Sequence, residues 1–341
     1  MAWKSGRNYL NSPGDAISSL ARFVNPFPLS ASPRNPHGQW LGGDLLAALA
    51  AARTDAHRLY SSPEVWVERF ADDVLISHQD NAARDAALAG LAGWSAQHGF
   101  APARIFGKYL PRQNEDRAAP VLLAGDATAP RLAVTEENGM RFGLDFGAGY
   151  SAGLFIDQRA NRAFVRRSGV RKLLNTFAYT CSFSVAAALA AAETVSVDLS
   201  KKSLDRGREN FALNGLDASA GNRHRFYADD VLDVLPRLAR KGETFDVIVL
   251  DPPTFSRGHK GRKFQVEQDL ETLLIAALGL AAPRAKILLS TNCTRLTRRA
   301  LETIGRFALK GARRSADFHC EPPLPDIPAD LAAQTLWLLL R

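Results

Sequence analysis

With 341 residues, 46% of them hydrophobic and 23% charged, the chain has material for more than one domain and a sizeable core, which excludes disordered and fibrous classes. Its formal net charge of +8 favours a polyanionic partner. The three cysteines, Cys181, Cys293 and Cys320, form no CxxC pair, so a disulfide framework and a zinc site are excluded and no metal is expected.

The first residues, MAWKSGRNYL, have no apolar signal-peptide core, and the apolar run at 45–52 is far short of the roughly 20 residues a membrane span needs. No membrane partner is expected, and a cytoplasmic protein is. Residues 1–40 are rich in Pro, Ser, Asn and Gly, an irregular arm whose aromatic residues (Trp3, Tyr9, Phe23, Phe27, Trp40) should pack on something. Asp44 is positioned to cap a helix running through 45–60, with Leu45, Leu46, Leu49 and Ala52 on its apolar face. Residues 1–55 therefore read as arm and helix.

Residues 56–150 read as a small α+β domain. Val65, Val67 and Phe70 mark a strand that turns at Asp72-Asp73 and returns over 74–77. A helix follows over 82–98, ended by Gly99, then a strand over 104–110. A hairpin pairs 132–136 with 140–145 around Glu137-Asn138-Gly139.

From 151 to 341 strands and helices alternate, after a polar strand end and basic helix at GLFIDQRANRAFVRR (153–167). Strands are expected at 173–177, 194–197, 225–228, 246–250, 286–291 and 335–340. The longer helices are expected at 201–214, 231–241, 266–280 and 298–309. This is the pattern of an α/β fold with a doubly wound, mostly parallel, Rossmann-like sheet. Its centre is KLLNTFAYTCSFSVAAALAAAETVSVD (172–198): a strand, a small-residue turn, an alanine-rich helix and a second strand ending on Asp198. An acid there accepts hydrogen bonds from ribose hydroxyls. The turn, with Tyr179, Thr180, Cys181 and Ser182, has no glycine, so a pyrophosphate is poorly served. A phosphate-free adenosyl cofactor with an amino-acid tail, S-adenosylmethionine, fits better.

Further acids, Asp229, Asp230 and Asp251, follow the third and fourth strands, at the edge where such sheets collect ligands. Asp229 suits the adenine amino group, and Asp230 suits a helix cap. In DPPTF (251–255), Pro252 and Pro253 fix the backbone and remove its donors. Asp251 and the carbonyls can then accept from an exocyclic amine of a base while Phe255 stacks on it. RGHKGRK (257–263) follows, and Arg257, His259, Lys260, Arg262 and Lys263 would clamp phosphates. Cys293, beyond the fifth strand, is a candidate nucleophile for C6 of a cytosine.

Several stretches together carry a resemblance: GLFIDQRANR (153–162), LLNTFAYTCSFSVAAA (173–188), VSVDLSKKSLDRGRENFALNGLD (195–217) and DPPTFS (251–256). On these the chain resembles the bacterial class I S-adenosylmethionine-dependent methyltransferases of 23S large-subunit ribosomal RNA, which make 5-methylcytosine or 7-methylguanine. The resemblance implies that Asp157, Gln158 and Arg159 reach the cofactor and that Tyr179, Asp198, Asp229 and Asp251 line its pocket. It also implies that ribosomal RNA is the partner. DPPTFS looks like the 7-methylguanine branch, whereas Cys293 falls where the 5-methylcytosine branch has its nucleophile. Two departures stand out. The family's turn reads Tyr-Thr-Gly where Cys181 follows Thr180 here, so a side chain is expected to narrow the cofactor slot. Residues 1–55 also do not look like the small RNA-binding domain of the 5-methylcytosine enzymes. A protein or small-molecule methyltransferase, a catalytically weakened cofactor-binding RNA assembly factor and an NAD-dependent oxidoreductase remain as alternatives.

Overall fold

The computed structural model describes residues 37–111, 117–219, 221–258, 261 and 263–341. Most of the arm, together with His259, Lys260 and Arg262, lies outside the described residues. The first helix, α1, covers only Gly43–Ala51, shorter than expected. Gly42 is its N-cap with no side-chain cap, so Asp44 sits inside the first turn. The remainder of the predicted helix is strand β1 (Ala56–Ser61), because Ala56 and Leu59 are claimed by cores on the two faces of a sheet.

Strands β2 (Val65–Phe70) and β3 (Asp73–His78) form the expected pair. Helix α2 (Asn81–His98) is capped by Asp80, whose side chain accepts from the Ala83 N–H, and stops at Gly99 with φ 63°. It carries the chain across to β4 (Arg104–Tyr109), parallel to β3. An edge strand that the sequence reading missed, β5 (Val121–Gly125), completes a five-stranded sheet in order β1-β2-β3-β4-β5. The hairpin β6 (Leu132–Glu137) and β7 (Met140–Asp145) turns as predicted, with positive φ at both Asn138 and Gly139.

The second lobe begins with a single 3-10 turn at Ile156–Gln158 and helix α3 (Arg159–Arg167). It continues through β8 (Lys172–Thr176), α4 (Ser182–Leu189), β9 (Glu193–Asp198), α5 (Lys201–Leu213), β10 (His224–Ala228), α6 (Val231–Arg240) and β11 (Phe245–Leu250). A short hairpin, β12 (Phe255–Arg257) and β13 (Lys263–Gln265), precedes α7 (Val266–Leu278), β14 (Ala281–Thr291), α8 (Arg298–Gly311), β15 (Ala316–His319) and β16 (Gln334–Leu340). The sheet order is β10-β9-β8-β11-β14-β16-β15. Strands β8 to β11 and β14 are parallel, and β16 runs against both of its neighbours. The expected mostly parallel, Rossmann-like sheet is therefore present, with its strand order reversing between β8 and β11.

The two lobes share a core. Phe70, Leu75 and Phe106 of the first sheet are buried in one cluster with Phe142 and Leu144 of β7 and with Val185, Ala186 and Phe211 of α4 and α5. Asn210 and Asn214 of α5 stitch the hairpin from below, accepting from the N–H groups of Gly143 (2.8 Å) and Arg141 (2.9 Å).

Candidate functional site

The turn after β8 has left-handed backbone at three alternate residues: Phe177 (φ 52°), Tyr179 (φ 47°) and Cys181 (φ 61°). Each costs roughly 1–2 kcal/mol for a non-glycine residue, so neighbours must hold the turn in place. The Phe177 ring meets Phe264 at 5.7 Å. Tyr179 donates its N–H to Asp198 Oδ2 (2.8 Å) and its hydroxyl to the Ser151 carbonyl (2.7 Å). Thr180 Oγ1 donates to the Gly153 carbonyl at 2.6 Å, and its own carbonyl accepts from Asn210 Nδ2 at 2.8 Å. Ser182 opens α4, with its hydroxyl 3.4 Å from Arg162 Nη1.

Cys181 does not point where the sequence comparison expects. Its thiol is fully buried and faces Gly207 of α5, where an added Cβ would stand 2.5 Å from Sγ. A side chain missing from α5 thus makes room for the side chain added to the turn. Burial pushes the thiol up to about 12, so it stays protonated and unreactive.

The tips of β8, β9, β10 and β11 are neighbours, so the predicted acids share one edge. Asp198 Oδ1 accepts from the Ser200 N–H (2.8 Å), and its other oxygen holds Tyr179. Burial raises its carboxyl above the usual range, with those two N–H groups pulling it back. Asp229 continues the ladder through its N–H to the Asp198 carbonyl (3.0 Å) and forms an ion pair with Arg237. Asp230 caps α6 through Leu232 N (2.9 Å), as its position predicts. Asp251 is pushed up to about 6, chiefly by burial, while the Ser290 hydroxyl lowers it and the Asp157 charge raises it.

Residues 157–159 meet this edge from the side. The Asp157 carboxylate accepts from the Ala333 N–H (3.1 Å), and burial raises its pKa. Gln158 donates to Ser290 Oγ (2.8 Å) and accepts from Asn161 (2.9 Å), which in turn accepts from Trp337 Nε1 (2.8 Å). A buried polar chain thus runs from Asp251 to Trp337. The Arg159 guanidinium turns away, bonded to Asp326 and to the Ala56 carbonyl. The adjacent Arg162 forms a two-pronged pair with Glu137 of β6 (2.7 and 2.6 Å) and also holds the Phe155 carbonyl (2.8 Å).

Pro252 is buried, whereas Phe255 is 46% exposed at the start of β12. Arg257 and Lys263 are cross-strand partners on the β12–β13 hairpin, both exposed, with Phe264 buried beneath them. Cys293 is only 4% exposed, and its thiol donates to Glu267 Oε1 at 3.6 Å. The structure therefore brings together Asp157, Gln158, Tyr179, Asp198, Asp229, Asp251 and Phe255. It sets Arg159 and Cys181 behind the edge and Cys293 within the core. Sequence reasoning missed Ser290, Asp326, Arg162 and Phe155; the last is 45% exposed with its ring 5.6 Å from Tyr179. An apolar residue between Gly153-Leu154 and Asp157 was the available signal for Phe155. The other three make contacts too distant in sequence to be read locally. Among the described residues no group of side chains could hold a metal ion, and no helix is long and apolar enough to cross a membrane.

A family model described as S-adenosylmethionine-dependent methyltransferase matches residues 93–329. The chain is 42% identical over 168 residues to ribosomal RNA large subunit methyltransferase K/L of Psychrobacter sp., covering 48% of this chain and 20% of that protein. It is 38% identical over 176 residues to ribosomal RNA large subunit methyltransferase I of Aeromonas salmonicida, covering 51% and 43%. The chain thus spans less than half the length of these curated relatives. The structure of SMU.776 complexed with S-adenosylhomocysteine superposes with a TM-score of 0.72 at 26% identity, over 87% of this chain and 78% of that one. The S-adenosylmethionine-dependent methyltransferase from Agrobacterium tumefaciens gives 0.66 at 22% identity, over 85% and 91%, a likeness of fold.

Proposed function

The chain belongs to the S-adenosylmethionine-dependent methyltransferase family, and from that premise we propose that it methylates a base of large-subunit ribosomal RNA. The observation that carries this reading is the reversal of strand order at β8/β11: Asp198 ends β9 on one side of it, and Asp251, with the exposed Phe255, follows β11 on the other. The residues fit the cofactor. Left-handed backbone at Tyr179 and Cys181 does the work of the missing glycines, and the Cys181 side chain is stowed against Gly207. Two of the roughly four lone-pair sites of Asp198 are taken by backbone N–H groups, which leaves acceptors for ribose hydroxyls. Asp229 would accept from the adenine amino group. Tyr179, Thr180, Ser182, Asp157 and Gln158 would border the rest of the cofactor, with Arg159 positioning that segment through Asp326.

When bound, S-adenosylmethionine supplies a methyl group already activated on a sulfonium. The protein then has to align and hold. Asp251 and the carbonyls of the Pro252-Pro253 turn accept from an exocyclic amine, and Phe255 stacks on the base. Arg257 and Lys263, with His259, Lys260 and Arg262 between them in sequence, would hold phosphates. A ring nitrogen such as guanine N7 suits this site better than cytosine C5, because the thiol of Cys293 is buried and bonded to Glu267. Free thiols and an RNA substrate fit a cytoplasmic location.

The test uses methyl-labelled cofactor and unmodified transcripts of large-subunit ribosomal RNA. Ribonuclease-sensitive label, retained after Cys293→Ala, is expected. Label in protein or small molecules, or RNA binding without transfer, would overturn the assignment. Loss of activity in Cys293→Ala, with a covalent adduct on 5-fluorocytosine RNA in the native enzyme, would move the acceptor to cytosine C5.

A further inference from the structure

The inner face of the first sheet changes character along its strands. Near one end Ala56, Phe70, Leu75 and Phe106 are sealed in the core shared with the second lobe. Two residues further along, β2, β3 and β4 present Trp66, Ser77 and Lys108 as a row on the same face, and Arg58 opposite Glu68 completes the patch.

The charges in this patch do not balance. Glu68 is committed to Arg58 Nη2 at 2.9 Å, and both side chains are buried. Arg58 Nε, Arg58 Nη1 and Ser77 Oγ have no hydrogen-bond partner among the described residues. The Lys108 ammonium has neither an ion pair nor a hydrogen bond among the described residues. Its Nζ instead lies 5.2 Å from the Tyr150 ring centre, which a third cation, Arg117, approaches at 5.3 Å. Burial depresses the Lys108 ammonium below its ordinary range, against the pull of Glu68. A desolvated, under-neutralised cation is costly to keep, and an arriving anion offsets that cost. The Arg58 guanidinium also lies 5.3 Å from the Trp66 ring, a half-buried aromatic face.

This patch lies beside the Ile156–Gln158 turn that carries Asp157, because β1 packs on that turn. Arg58 and Glu68 are among the charges that act on Asp157, and Asp157 acts on Asp251. An anion beside a partly exposed aromatic face, next to a base-binding turn, has the chemistry of a neighbouring nucleotide.

We propose that the Lys108 end of the first sheet binds the backbone phosphate of an RNA nucleotide flanking the methylated one, with Trp66 as its stacking face. This rests on the RNA substrate proposed above. The test is Lys108→Met, which keeps the apolar stem and removes the charge. Its melting temperature should match or exceed that of the native chain, because a desolvated ammonium is gone, and S-adenosylhomocysteine affinity measured by calorimetry should not change. Affinity for an unmodified large-subunit ribosomal RNA transcript should fall about tenfold, with the salt slope lower by about one. KM for RNA should rise while kcat holds. Lys108→Arg, which keeps the charge, should restore most of the RNA affinity. Unchanged RNA affinity and slope in Lys108→Met would overturn the proposal, as would a joint loss of melting temperature and cofactor affinity. The RNA-binding measurements need no turnover, so a native chain that binds the transcript but transfers no methyl fails the catalytic reading alone.

Discussion

Replacing Gly207 by alanine tests whether the unusual turn and helix α5 are built for each other. The new Cβ would lie 2.5 Å from Cys181 Sγ and 3.0 Å from Cys181 Cβ, distances that real Cβ atoms do not sustain. Neither neighbour is a flexible side-chain end, since Cys181 is fully buried and caps α4 with left-handed backbone. Overpacking of this kind costs about 1–3 kcal/mol, against which alanine's better helix propensity returns about 1 kcal/mol. The net loss should reach up to about 2 kcal/mol, expressed as a lower melting temperature. Because the strain falls on the turn that holds Asp198 through Tyr179 N, S-adenosylhomocysteine binding should weaken several-fold by calorimetry. Cys181→Gly removes the clashing sulfur and also relieves the left-handed backbone, so the double variant should recover most of both losses. A Gly207→Ala chain with native melting and native affinity would refute the reasoning. So would a double variant whose effects merely add.

Asp251→Asn should show a signature in pH. The folded carboxyl is raised to about 6 from an ordinary value of 3.8. Below about pH 4 both the folded and the unfolded chain hold the proton, and no penalty exists. As pH rises through about 6 the folded site is forced to ionise, and the penalty is complete above that. The variant should therefore gain melting temperature at pH 8 but not at pH 4, while losing the methylation in which Asp251 is proposed to take part. Equal gains at both pH values would contradict the assignment. Arg162→Ala strands Glu137, which is 0% exposed, and should cost about 3–5 kcal/mol by denaturant unfolding. The double change Arg162→Met with Glu137→Gln should cost much less.

Much of the second lobe was legible because β-strand and helix signals there are local: apolar runs such as FDVIVL, and acids placed just after them. The alternation alone predicts a doubly wound, mostly parallel sheet, whereas the place where its strand order reverses, between β8 and β11, is seen only in the structure. Besides β1, four strands escaped notice, for two reasons. β5 and β15 are edge strands with mixed exposure, and β12 and β13 are three residues each inside a stretch that reads as a charged loop. The helix drawn through 45–60 ran across the polar step Arg53-Thr54-Asp55, where the chain leaves α1 and enters β1, and the pairing of β1 with β2 decides for the strand. Cys181 was visible as a departure but its consequence was not. The recess that receives it is made by Gly207, twenty-six positions on, which looks like any other helical glycine. Arg159 reads as a ligand-seeking cation until Asp326, from the far end of the chain, is brought beside it.

The packing of β7 against α4 and α5 welds the wall that bears Lys108 to the floor that bears Asp198. The gap between them is thus fixed when the chain folds, before any substrate arrives. Under the RNA reading proposed above, the strand that enters must do the bending itself, so loops already splayed would be selected over stacked helices.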